Sequence, residues 1–230
     1  LQNVPYLPIT NENLLHWDAG IFNKIKDNYY DQKAAGGNYI FATFPLFPLL
    51  WKLSFLSPIG ISIFNFFLYI ISLGLLLLLY KNELPQRNKY AFIICIVCLP
   101  TIVPFLIPYS ESTFLFFFTI AVWGLNKKNY FFYFLGLTLA TTTRAASVII
   151  FISFFSVELF YLTEHRKILL FLKGLIAKTS PVFAGTILAL MFHAITGYGT
   201  MFSFIEAQKY WGNEFTSLII LPTGRKNHLA

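Results

Sequence analysis

The pentapeptide His16-Trp17-Asp18-Ala19-Gly20 sets a carboxylate, an indole and two small residues together, ahead of an almost continuous apolar sequence. A carboxylate at a membrane surface is suited to take a proton from an acceptor hydroxyl, the task of a general base. The plain alternative is a loop aspartate beside a Trp that anchors at the interface. Arg144 lies in Thr141-Thr142-Thr143-Arg144-Ala145-Ala146-Ser147, between two apolar stretches. Ionisable residues at membrane depth usually face a cavity or a partner, and a guanidinium flanked by hydroxyls suits bidentate phosphate binding. A snorkelling Arg at a helix end is the competing reading.

Glu111, in Pro108-Tyr109-Ser110-Glu111-Ser112, is placed to pair with Arg144 or to position a sugar hydroxyl. It also fits a first-turn helix carboxylate favoured by the macrodipole, with Ser110 as cap. Gln208, Tyr210 and Trp211, in Phe204-Ile205-Glu206-Ala207-Gln208-Lys209-Tyr210-Trp211-Gly212, offer a hydrogen-bonding and stacking wall for a sugar. Interfacial aromatics are the bland alternative for that group. No D-x-D or H-E-x-x-H is present and the histidines are scattered, so no metal and no cofactor is expected.

The elements that position these residues are apolar helices. Of 230 residues, 57% are hydrophobic and 12% charged, against roughly 25% charged in soluble domains. That composition excludes an ordinary soluble globular protein. The net charge of +7 sits in short basic clusters between apolar segments, the pattern of a polytopic membrane protein rather than a nucleic-acid binder. Cys95 and Cys98 fall inside an apolar run with no βαβ context, so they read as inert helix residues.

A spanning helix needs about 20 apolar residues. Ile59 to Tyr80 meets that length, and Tyr90 to Pro108 is a second span disturbed at Pro100 and Pro104. Spans at 112–125, 130–143 and 147–162 follow, and a last one ends at Thr196 after an interfacial lead-in at 168–178. Pro45 and Pro48 make 41–52 a broken or interfacial segment bordered by Trp51 and Lys52. The chain is thus expected to be a single all-α unit: a loop and interfacial segment over 1–58, about six transmembrane helices over 59–196, and a further loop with the start of another segment over 197–230. Both ends read as truncations of a longer protein.

The basic connections at 81–89, 126–129 and 163–173 alternate with the others and share one side, the cytoplasm by the positive-inside rule. Asp18, Glu111, Arg144 and the Gln208–Trp211 group then converge on the extracytoplasmic face.

The ordered set formed by Trp17-Asp18, Phe44-Pro45-Leu46-Phe47-Pro48-Leu49-Leu50, Pro108-Tyr109-Ser110-Glu111-Ser112, Thr143-Arg144 and Gln208-Lys209-Tyr210-Trp211-Gly212 resembles the PIG-V family. That family comprises GPI mannosyltransferase 2 and its prokaryotic relatives, within the GT-C glycosyltransferases. Two positions depart from its pattern: His16 stands where Arg is usual, and Asn-Gly does not follow Thr143-Arg144. The resemblance implies a GT-C-like multi-helix bundle taking a sugar from a polyprenyl-phosphate donor and passing it to a glycan or glycolipid acceptor. Asp18 would be the catalytic residue of the first extracytoplasmic loop. Arg144, Glu111, Trp17, Gln208, Tyr210 and Trp211 would bind the donor phosphate and sugar. Such a protein is multi-pass, in the cell (inner) membrane of a prokaryote or the endoplasmic reticulum membrane of a eukaryote, with membrane lipid and the lipid-linked donor as partners. Two other functions fit the composition: a transporter or flippase for a lipid-linked or anionic solute, and a non-catalytic membrane subunit of a glycosyltransferase complex.

Overall fold

The computed structural model describes residues 9–35, 37–80, 102–165, 167–196 and 203–208. Cys95, Cys98, Tyr210, Trp211, the 81–89 connection and the expected span from Tyr90 as far as Thr101 lie outside the described residues. Among the described residues every regular element is helical and there is no strand. The chain is all-α.

The N-terminal region contains α1 (Asp18–Asn28), the short α2 (Gln32–Ala35), a 3-10 turn (Asn38–Ala42) and α3 (Leu46–Ser54). As the prolines implied, 41–52 does not form one long helix. Pro45 sits at the start of α3 and Pro48 in its first turn, where a missing N–H costs nothing. α4 (Pro58–Leu79) follows after a turn; Ser57 caps it by accepting the Gly60 N–H at 3.1 Å.

Beyond the undescribed stretch come α5 (Val103–Leu106), α6 (Glu111–Asn126), α7 (Tyr130–Thr143), α8 (Ser147–His165), α9 (Ile168–Thr196) and α10 (Ser203–Gln208). α4 and α9, of 22 and 29 residues, are long and apolar enough to cross a membrane. At 1.5 Å per residue, α6 and α7 reach only about 24 and 21 Å, short of a hydrocarbon core of about 30 Å. Length and composition therefore single out two spans among the described residues.

α6 and α7 form an antiparallel hairpin, α7 and α8 both pack on α9, and α4 packs on α6. A Cβ at Gly124 would strike the Tyr133 backbone, and one at Gly136 the Ala121 backbone. Small residues thus let the hairpin close, as membrane helices commonly require. Its core joins Ala121, Tyr133, Leu137, Ile150 and Val182.

Two expectations change in this half of the chain. The 163–173 connection is shorter than read, because α8 runs to His165 and α9 already begins at Ile168, placing Lys173 on a helix. The lead-in at 168–178 is also not a separate segment; α9 continues through Pro181. Proline removes the N–H that would have bonded the carbonyl four residues earlier. The Tyr130 hydroxyl of α7 donates to that carbonyl, Ala177, at 3.1 Å, and the Tyr133 hydroxyl donates to the next one, Lys178. Two tyrosines of a neighbouring helix thereby carry α9 past its proline.

Candidate functional site

Asp18 is the first residue of α1, in its acidic first turn. Trp17 before it has φ 51 and ψ −125 and is 86% exposed. A bulky residue at positive φ is strained, and such strain often accompanies function. The small residues after Asp18 have a packing cause. Ala19 is fully buried, and a Cβ on Gly20 would come within 2.8 Å of the Leu15 carbonyl oxygen.

The α5–α6 corner brings a second group to this point. Asn65, buried in the middle of α4, donates its amide to the carbonyls of Ile107 and Tyr109 at 2.7 and 2.9 Å. The Ser112 hydroxyl donates to the Phe105 carbonyl at 2.6 Å. The corner so pinned brings Tyr109 close to the Asp18 backbone at the start of α1. Burial pushes the Tyr109 hydroxyl up from its ordinary value, the Asp18 and Glu111 carboxylates push it further, and the Asp18 N–H partly offsets them. Tyr109 thus keeps its proton, close enough to both carboxylates for each to raise its hydroxyl.

Arg144 follows α7 in extended backbone, with φ −145 and ψ 151. Its Nη1 forms an ion pair with Glu111 Oε1, the pairing its sequence context suggested. Glu111 Oε2 is buried and has no hydrogen-bond partner among the described residues. The structure thus gathers Asp18, Tyr109, Glu111 and Arg144 from the start of α1, the start of α6 and the end of α7.

Two local expectations are corrected. Ser110 makes no side-chain cap to α6; its backbone is already helical, at φ −81 and ψ −5. The threonines before Arg144 do not flank its fork. Thr141, Thr142 and Thr143 each return their hydroxyl to a carbonyl one turn back in α7, and Thr142 also reaches the Gly185 carbonyl of α9. All three are buried. They seat α7 on α9 and leave the guanidinium as the cationic group of the site.

Gln208 ends α10, which docks on the Asn38–Ala42 turn. Its neighbour Ala207 joins Ile25, Tyr30, Ile40 and Phe41 in a buried cluster.

Sequence reasoning missed Asn65, Tyr109 and His193. His193 of α9 is fully buried among Tyr30, Phe41 and Phe44. Its Nε2 donates to the Thr43 carbonyl at 3.0 Å, the same oxygen that accepts the Tyr30 hydroxyl at 2.9 Å. It fastens the N-terminal region to α9. A polar side chain isolated in an apolar run was the available signal for both Asn65 and His193. A further ion pair, buried Glu158 of α8 with half-buried Lys178 of α9, lies within the helices and apart from this group.

No family model, curated protein or solved structure matches this chain.

Proposed function

We propose that this chain is a multi-pass membrane glycosyltransferase that takes a sugar from a polyprenyl-phosphate donor, in the manner of the PIG-V family it resembles. The observation that carries the reading is the meeting of Asp18, Tyr109, Glu111 and Arg144 across more than a hundred residues of sequence. Transfer to a hydroxyl acceptor needs a base for the acceptor proton and a cation for the departing phosphate. In the proposed step the acceptor oxygen attacks the anomeric carbon and its proton passes to the Asp18 carboxylate. The bond from that carbon to the phosphate oxygen breaks, and the polyprenyl phosphate leaves with the electron pair, stabilised by Arg144.

Arg144 is held by Glu111 in the structure, so donor phosphate would compete with that carboxylate for the guanidinium. The exposed Trp17 is suited to stack on a sugar face or to dip into lipid. On this reading the group faces the extracytoplasmic side, opposite the basic connections that the positive-inside rule assigns to the cytoplasm.

The test is transfer from a panel of polyprenyl-phosphate hexoses by the reconstituted protein. Asp18→Asn should slow turnover about 10²–10⁴-fold, the usual contribution of a general base, with little change in donor binding. Asp31→Asn is the control. Asp31 accepts the Lys33 and Ala34 N–H groups at 2.9 and 3.4 Å, and Asn retains a capping oxygen. Full transfer by Asp18→Asn, or a larger loss at Asp31, would overturn the assignment.

One observation favours a second reading, transport of an anionic or lipid-linked solute. The Glu158 carboxylate is buried among apolar helices and pairs with Lys178, whose side chain is 30% exposed, and charged residues in such a setting commonly mark a solute path. Solute flux abolished by Glu158→Gln while Asp18→Asn is silent would favour it.

A further inference from the structure

The end of α1, the end of α3 and the turn after it form an open cavity of about 370 Å³, lined by Lys26, Asp27, Trp51, Lys52, Phe55 and Leu56. None of these belongs to the Asp18–Arg144 group. The Lys26 ammonium lies 5.1 Å from the centre of the Trp51 ring, and that of Lys52 lies 3.7 Å from the centre of the Tyr29 ring. Trp51 is fully buried and its indole N–H is spent on the Leu56 carbonyl at 2.8 Å, so this wall is rigid. The Lys26 side chain is only 20% exposed, which separates it from a freely solvated surface lysine. Its counter-charge, Asp27 at 3.3 Å, is 54% exposed, and a contact of that kind holds weakly. Lys52 donates to the Asp27 carbonyl at 3.4 Å, which engages one of the three donors an ammonium carries.

Phe55 of the lining has φ 54 and is 92% exposed, and Leu53, two residues before it, is 71% exposed. They stand immediately before α4, one of the two helices able to cross a membrane. That puts them where the chain enters the bilayer, with the two ammonium groups at headgroup depth, the level favoured by interfacial aromatics and basic residues.

We propose that this cavity binds the phosphodiester headgroup of an anionic membrane lipid, with Lys26 and Lys52 on the phosphate and Leu53 and Phe55 against the acyl chains. A soluble phosphate would satisfy the lysines and leave Leu53 and Phe55 without a partner. The inference rests on α4 crossing the membrane and is independent of the transfer reaction.

The experiment titrates phosphatidylglycerol into phosphatidylcholine nanodiscs carrying the protein and counts bound lipid by native mass spectrometry. Each lysine near an anionic headgroup contributes about fivefold, so Lys26→Gln/Lys52→Gln should weaken retention by roughly 25-fold. Lys24→Gln/Lys33→Gln removes the same charge outside the cavity and should leave retention within about twofold. Asp27→Asn removes the competing carboxylate and should raise retention several-fold, a gain that misfolding cannot imitate. Unchanged retention in Asp27→Asn, or equal losses in the two lysine pairs, would overturn the proposal. Competition by inorganic phosphate as effective as that by the lipid would also overturn it, in favour of a soluble-anion site.

Discussion

Replacing Arg144 separates the stability of the Arg144–Glu111 pair from its chemistry. The two side chains are 41% and 21% exposed. At an effective dielectric near 20, opposite charges in contact attract by about 4 kcal/mol. An arginine this exposed is screened, and measured exposed pairs fall to roughly 0–1 kcal/mol. Glu111 changes the balance, because its Oε2 is already buried without a partner. Removing Arg144 leaves Oε1 unpaired as well, on a side chain only 21% exposed, and an unsatisfied acceptor so placed costs up to about 1–3 kcal/mol. Arg144→Ala should therefore destabilise more than Glu111→Ala, with a coupling of about 1 kcal/mol in the double-mutant cycle. Thermal unfolding of the purified variants reads that coupling as roughly 2–4 °C. Arg144→Lys should keep most of the stability, since a point charge still pairs with Glu111, yet lose most transfer because an ammonium does not grip phosphate bidentately. Glu111→Gln should tighten donor binding about fivefold, the equivalent of 1 kcal/mol freed at the guanidinium. Wild-type transfer by an inserted Arg144→Ala protein would reduce Arg144 to a membrane-edge anchor. A cycle with no coupling would remove the ion pair itself.

Three other outcomes follow from particular contacts. Single-cysteine probes at Asn28 and Lys127 should label from opposite sides of the membrane, and labelling from one side would dissolve the shared face assigned to Asp18 and Arg144. Gly185→Ala should destabilise by about 1–3 kcal/mol through overpacking, because its Cβ would meet the Thr138 carbonyl and the Thr141 hydroxyl; unchanged thermal unfolding would show that α7 and α9 are not in close contact there. Tyr30 holds its proton above the ordinary 10.0, chiefly through burial, with the Thr43 side chain a smaller opposing influence. The raised folded value makes its stability contribution complete below about pH 10 and lost as pH climbs towards the folded value, so Tyr30→Phe should flatten the alkaline fall in unfolding temperature.

Helix positions were legible because apolar runs and turn residues mark them locally. The expected spans at 59–80, 112–125 and 130–143 differ from α4, α6 and α7 by no more than a residue at either end. The pairing of Glu111 with Arg144 was legible too, since each is a charge isolated at the end of an apolar stretch. The continuity of α9 was not. Pro181 argues locally for a break, and the carbonyls it leaves unbonded are satisfied by Tyr130 and Tyr133, about fifty residues earlier. The threonine hydroxyls misled for the opposite reason. Read locally they offer a phosphate cradle, whereas in the fold their partners are carbonyls of α7 and α9.

The same accounting explains why so few polar residues are left for chemistry. In an apolar surround every carbonyl outside a helix ladder needs a donor, and this chain supplies donors from side chains. Asn65 serves Ile107 and Tyr109, His193 and Tyr30 serve Thr43, Trp51 serves Leu56, and Tyr130 serves Ala177. Each bond fastens a non-helical or proline-interrupted piece of backbone, and two of them hold the corner that presents Tyr109 and Glu111. Asn65 and His193 therefore act as positioning residues, and their replacement should disturb the site through the backbone they hold. Among the residues gathered near the start of α1, Asp18, Glu111 and Arg144 carry charge and Tyr109 keeps its proton beside them. The proposed transfer of a sugar from a phosphate to a hydroxyl would call on a base and a cation, the roles proposed for Asp18 and Arg144. The dominance of backbone-holding polar contacts elsewhere is why the proposed reaction rests on these four.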